Sequence, residues 1–349
     1  MLPQSRPDPG RAVFPIETAR ALAVLLLVSY HVIGASPENG LELDYPSGYR
    51  IFAGLFADLR MPLFAFIAGM VFAIRPPQRG QVAGFLTGKL RRLAVPGAIA
   101  ILAFAILADL SHTSFSLNGA YWWPFVTGYA HFWFLQAILL IFWFYAPVDA
   151  FLGGRGTAVL TVLAFALWLS GFHLSENPLS VNGAILLLPY FLLGAAVFRH
   201  RAAIMRHRKV LAAVACVTFA AGVAMNLSIL DQTGRLSENA RDLQSMLVGT
   251  GGCLAAMLAL PHIRLLEKIG PASFTIYLYH VFATSGMRRF LEGMEITSLP
   301  VNLLAGVAAG ILLPVALHTI CRQNPVTRQL VLGEKTAPRQ PLILAGGKT

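Results

Sequence analysis

The chain has 349 residues, 56% of them hydrophobic and only 12% charged, with a mean hydropathy of +0.65. A soluble domain carries roughly twice that charged fraction, so the composition excludes an ordinary soluble protein and indicates a polytopic membrane protein lying mostly in the bilayer. The net charge of +11 does not point to nucleic acid, and no such partner is expected, because the basic residues gather in particular loops and report membrane orientation.

Ten apolar segments are long enough, or nearly so, to cross about 30 Å of hydrocarbon: 13–35, 51–74, 93–110, 131–148, 157–173, 183–199, 209–230, 243–261, 271–287 and 300–320. The expected fold is all-α, a polytopic membrane helix bundle of about ten transmembrane helices. Residues 1–12 read as a cytoplasmic tail, 13–320 as the integral membrane domain and 321–349 as a second tail, a loose cytoplasmic end rich in proline and glycine. Arg6 and Arg11 before an apolar run, then Gly34-Ala35-Ser36, could pass for a signal peptide. The run carries Tyr30 and His31 and precedes still more hydrophobic segments, so it reads as a retained first span. With the N-terminus in the cytoplasm, inside segments hold 20 Lys and Arg and outside loops 5, which sets both termini inside. Cys216, Cys253 and Cys321 are scattered singly, giving neither a disulfide framework nor metal spacing, and no metal site is expected.

The first span carries Glu17, Arg20 and His31. Eleven helical steps advance about 1100°, three turns and roughly 20°, so Arg20 and His31 share one face about 16–17 Å apart, with Val24 and Leu27 between them. Glu17 stands three residues before Arg20, where it can pair with it. Such a face predicts a polar track through the membrane, competing with a plain salt-bridged helix start and an interfacial histidine. In the second span, Arg60 follows Asp58 by two. The competing reading is an interfacial Asp58–Arg60 pair; residues so spaced point to opposite sides of a helix, which weakens that reading and makes Arg60 a candidate site residue. The basic run Lys89, Arg91 and Arg92 lies on the cytoplasmic side before the third span, with Arg75 and Arg79 nearby read as topology signals. His131 and Trp133 open the fourth span near Tyr121, Trp122, Trp123 and Tyr129, an aromatic belt that also suits sugar stacking. His280 falls mid-span, where an imidazole needs a partner.

Several stretches share a pattern. Glu17, Arg20 and Tyr30-His31 give an Arg-x10-His first helix; Met61-Pro62-Leu63-Phe64 precedes Gly69; Lys89-Leu90-Arg91-Arg92 precedes Pro96. His131-Phe132-Trp133-Phe134-Leu135, then Leu188-Pro189-Tyr190-Phe191 with Gly194, then Ser273 through Tyr277 to His280 follow in order. Together they resemble the membrane acyltransferase family 3, whose members are O-acyltransferases that modify sugars and other acceptors. Two departures stand out: Ala68 replaces the usual Ser before Gly69, and Lys89 replaces the first Arg of R-x-x-R. Lysine keeps the charge but loses bidentate phosphate geometry, shifting the weight to Arg91 and Arg92.

The resemblance implies acyl-CoA, acetyl-CoA foremost, as co-substrate rather than a tightly bound cofactor. It also implies a sugar or glycan acceptor and residence in the inner (cell) membrane of a bacterium. His31 is the expected general base, with Arg20, oriented by Glu17, holding the thioester carbonyl or pantetheine arm. Lys89, Arg91 and Arg92 would bind coenzyme A phosphates. Arg60, His131, Trp133 and His280, with Tyr30 and Tyr277 of the matched motifs, are the residues expected to meet the acceptor. The sequence lacks G-x-S-x-G and any cysteine beside a basic partner, which favours direct transfer over an acyl-enzyme. The competing readings are a transporter or flippase for a lipid-linked sugar and a non-catalytic scaffold. Coupled carriers usually place carboxylates in several helices, and Glu17 and Asp58 are the only clear ones expected here.

Overall fold

The computed structural model describes residues 14–335. The expected N-terminal tail, 1–12, and the last residues of the C-terminal tail, from 336, lie outside them. In chain order the helices are α1 Ile16–Ile33, α2 Gly48–Leu55, α3 Ala57–Ile74, α4 Val82–Lys89, α5 Val95–Leu110, α6 Trp133–Leu152, α7 Thr157–Leu169, α8 Val181–Arg199, α9 Arg201–Arg206, α10 Arg208–Thr233, α11 Leu243–Leu258, α12 Arg264–Glu267, α13 Ser273–Gly293, α14 Leu299–Cys321 and α15 Pro325–Leu332. Among the described residues the only strand-like pairing is an isolated bridge between Thr127 and Pro178. The protein is an all-α polytopic bundle.

Each of the ten expected spans contains a helix. Among the described residues, seven stretches are long and apolar enough to cross a bilayer: Ile16–Ile33, Gly48–Ile74, Arg79–Leu110, Ala130–Leu152, Val181–Arg199, Arg208–Thr233 and Leu299–Cys321. α7 and α11 are apolar but shorter, at 13 and 16 residues, about 20 and 24 Å at 1.5 Å per residue. α13 has 21 residues but carries His280, Arg288, Arg289 and Glu292, which lower its hydropathy.

The core forms where α3, α6 and α8 cross, with α1 against α3, α13 and α14. Two glycines set the central crossing. A Cβ on Gly69 would lie 1.8 Å from the Phe191 carbonyl oxygen, and one on Gly194 would lie 2.0 Å from that of Phe66. Each backbone occupies the space a side chain on the other would need, the close approach small residues permit between membrane helices. Backbone atoms cannot step aside, so Gly69→Val and Gly194→Val are each expected to destabilise the bundle by about 3 kcal/mol or more. Gly84→Ala, where a Cβ meets nothing within 4 Å, serves as control. Size-exclusion profiles and thermal unfolding in one detergent check this; wild-type profiles for both valine variants would show that the crossing yields.

The C-terminal reading needs correction. Residues 321–335 are not a loose end: α15 packs on α5 and α14, Arg322 pairs with Glu334 at 3.3 Å, and Gly333 sits against the Arg92 carbonyl, where a Cβ would stand 2.3 Å from that oxygen. Asn324 caps α15 by accepting from Val326 N–H, and Gly333 closes it in the left-handed region.

Candidate active site

The site is built at one end of α1. The chain leaves α1 through Gly34 at φ +107, where a Cβ would collide with the Asn39 carbonyl. The loop turns back at once: Leu41 N–H donates to the Ile33 carbonyl at 3.0 Å, and Arg50 of α2 clamps the Gly34 carbonyl at 2.5 Å. This fixes the last turn of α1 and, on it, Tyr30 and His31.

Two further histidines converge on that turn. Ring centroids are 4.9 Å apart for His31 and His280, 5.8 Å for His31 and His131, and 5.2 Å for His131 and His280. His131 lies in the tight turn Ala130–Phe132 before α6, and its carbonyl accepts from the Tyr277 hydroxyl at 2.7 Å. Gln136 steadies this entry: its amide donates to the Pro124 and Thr127 carbonyls and its oxygen accepts from Ser180. On α13, His280 Nδ1 lies 2.9 and 3.0 Å from the carbonyls of Ile276 and Tyr277. Carbonyls only accept, so Nδ1 carries the proton and Nε2 the lone pair.

His280 is fully buried and His131 is 8% exposed, and Nε2 of each has no protein partner. His31 is only partly buried and is the least enclosed of the three. A buried polar atom left unpaired costs about 1–3 kcal/mol, so two such nitrogens around one imidazole mark a surface shaped for something other than the fold.

Arg60, 8% exposed, joins from the first turn of α3. Its guanidinium carbon lies 3.4 Å from the Tyr30 ring centroid, and the Tyr30 ring lies 5.1 Å from that of His31. Nε and Nη1 are buried without a hydrogen-bond partner. Asp58 turns away, as their spacing predicts, and accepts from Gln244 at 3.3 Å. Thus His31, Tyr30, Arg60, His131, Tyr277 and His280 come together.

Trp133 does not join them; it packs on α8, where a Cβ on Gly183 would lie 2.7 Å from its ring. Glu17 and Arg20 pair at 2.9 Å, but at the opposite end of α1. The expected polar track between them and His31 is not continuous. Val24 and Leu27 are buried at 0 and 3% exposure, Val24 among Ile276 and Ile311 and Leu27 within the main apolar core. The three turns between the charged ends are filled by tight apolar packing.

The basic run is split by a five-residue π-helical turn, Leu90–Ala94, a feature frequent at functional sites. Lys89 turns inward, its Nζ 4.0 Å from the Phe142 centroid and 5.0 Å from that of Phe85. Arg91 is half-buried with Nε unpartnered, and Arg92 is exposed.

One polar cluster escaped sequence reasoning. Asp149 at the end of α6, 4% exposed, holds Arg199 through two hydrogen bonds of 2.7 Å. Arg199 also donates to the Tyr145 hydroxyl at 3.0 Å and to Thr157. Asp149 therefore adds a buried carboxylate to the two expected. The pair borders a cleft of about 960 Å³ lined also by Pro76, Arg79, Gly154 and Arg155. The available signal was an acidic residue one position past an expected span and an arginine at the end of another.

Fold and site together define a polytopic membrane protein with a buried, polar, histidine-rich centre. An acyltransferase domain model, that of acyltransferase family 3, matches residues 15–319, and the chain belongs to this family. It is therefore an integral, multi-pass membrane acyltransferase, transferring groups other than amino-acyl groups between an acyl donor and an acceptor. No curated protein and no solved structure matches the chain.

Proposed function

We propose that the protein is an O-acyltransferase of the bacterial inner membrane, moving an acetyl group from cytoplasmic acetyl-CoA to a hydroxyl of a sugar or envelope glycan. The observation that carries this reading is the meeting of His31, His131 and His280 around the end of α1, with Arg60 joined to His31 through Tyr30. Transfer from a thioester to an alcohol needs a base for the hydroxyl proton, and His31, the least enclosed of the three, supplies one. In this reading the acceptor oxygen gives its proton to His31 and attacks the thioester carbon. The tetrahedral intermediate expels the coenzyme A thiolate, and the thiolate takes the proton from His31. No acyl-enzyme is required and no proton is gained or lost. Release of free thiol from acetyl-CoA by purified protein, together with mass spectrometry of envelope glycans with and without the gene, tests it. Absence of both would end it.

For the donor, Arg91 and Arg92 remain the phosphate ligands we favour, supported by their place at the same end of the bundle as the Arg79–Arg155 cleft. Lys89, turned onto Phe85 and Phe142, would act only as a positive field. Charge-assisted hydrogen bonds contribute about 1.5–3 kcal/mol each. Arg91→Gln with Arg92→Gln is thus expected to raise the acetyl-CoA KM about 10²- to 10⁴-fold while the acceptor KM stays near its original value. Equal changes in both would show that these arginines only fix topology.

A further inference from the structure

The geometry points to Arg60 as the oxyanion-stabilising group of the reaction, a catalytic residue distinct from the Arg20 of the first-helix motif. The inference rests on the acyl-transfer reading above and adds to it where the negative charge goes. Arg20 is excluded by place: it is held by Glu17 at the far end of α1, beyond the tightly packed Val24 and Leu27. Arg60 stands at the histidine end through Tyr30, where Arg50 is engaged with the Gly34 carbonyl. Arg60 is more than nine-tenths buried, and two of its nitrogens, Nε and Nη1, have no partner. Asp58, two residues before it, accepts a hydrogen bond from Gln244.

An unpaired cation at this depth is costly, and Tyr30, whose ring face lies 3.4 Å from the guanidinium carbon, offsets only part of that cost. A fixed cation with two free N–H donors in a water-poor site is what a developing oxyanion requires. As the acceptor oxygen bonds to the thioester carbon, the C=O π pair moves onto the carbonyl oxygen, which then accepts from one of the two unpartnered Arg60 donors, Nε or Nη1. The acceptor proton sits on His31. The oxyanion therefore faces two cations at its moment of greatest charge, and neither faces the other without an anion between them. When the C–S bond breaks, the pair returns to the C=O bond, the thiolate takes the His31 proton, and Arg60 ends unchanged.

The test uses full-length protein in detergent, acetyl-CoA as donor, and release of coenzyme A thiol read with a series of methyl glycosides and with water alone. Arg60→Met is expected to lower kcat about 10²- to 10³-fold with donor and acceptor KM within about threefold of wild type. Its thermal midpoint should be unchanged or higher, because a buried unpaired charge has been removed. Arg60→Lys should recover part of the rate, as a point charge without the planar, fixed guanidinium. A raised acceptor KM with kcat retained would instead make Arg60 an acceptor-binding residue. A lower midpoint, with activity following the folded fraction and restored in Arg60→Lys to the same degree as the midpoint, would make it structural. If the wild type releases no thiol and transfers no acetyl group, the acyl-CoA reading falls and this assignment falls with it. If the wild type is active and Arg60→Met keeps its kcat, only this assignment fails.

Discussion

Replacing His31 by alanine is expected to lower kcat by about 10²–10⁴-fold, the usual contribution of a general base, while the protein still inserts and binds coenzyme A. Folding should survive because His31 is only partly buried and makes ring contacts but no hydrogen bond among the described residues. His31→Gln separates proton transfer from hydrogen bonding: the amide can orient a hydroxyl but cannot take its proton. It should be nearly as inactive as the alanine variant. Transfer of labelled acetyl by both variants, at matched expression, decides the matter. A glutamine variant that keeps most of the rate would move the base to His280, whose Nε2 lone pair already faces the site, or to His131.

Asp149→Ala is expected to destabilise the bundle by about 3–5 kcal/mol, the range for removing one partner of a buried ion pair. Arg199 would be left with its charge half-buried, and the link from α8 through Tyr145 and Thr157 to α7 would loosen. The double variant Asp149→Leu, Arg199→Met removes both charges and should recover much of that loss, since the cost lies in the unpaired cation. Unfolding in mixed micelles measures all of the variants. A double variant as unstable as Asp149→Ala would mean that the pair holds geometry that apolar side chains cannot replace.

The single-residue expectations fared according to how local their physics is. That Asp58 and Arg60 would not pair was legible because two residues two apart diverge on any helix, whatever surrounds them. Glu17 and Arg20 pair as their three-residue spacing requires. The track from Arg20 to His31 was a fair inference from one helix and failed because α13 and α14 press Ile276 and Ile311 into its middle. Trp133 was grouped with His131 by sequence, yet the tight turn before α6 sends the two side chains to different neighbours.

The amino-acid sequence by itself determined that this is an all-α, multi-pass membrane protein with polar groups at the end of its first helix. Hydrophobic run length, loop charge and helical spacing are properties of one segment at a time. Only the tertiary structure decided which polar groups meet. His31, Arg60, His131 and His280 come from segments far apart in the chain. Their convergence depends on helix crossings such as the one made by Gly69 and Gly194. The Asp149–Arg199 pair needed the same information, being two span ends fifty residues apart that nothing in either segment marks as neighbours. Close packing fixes such encounters through shape shared between helices, and that shape is not written in any one of them.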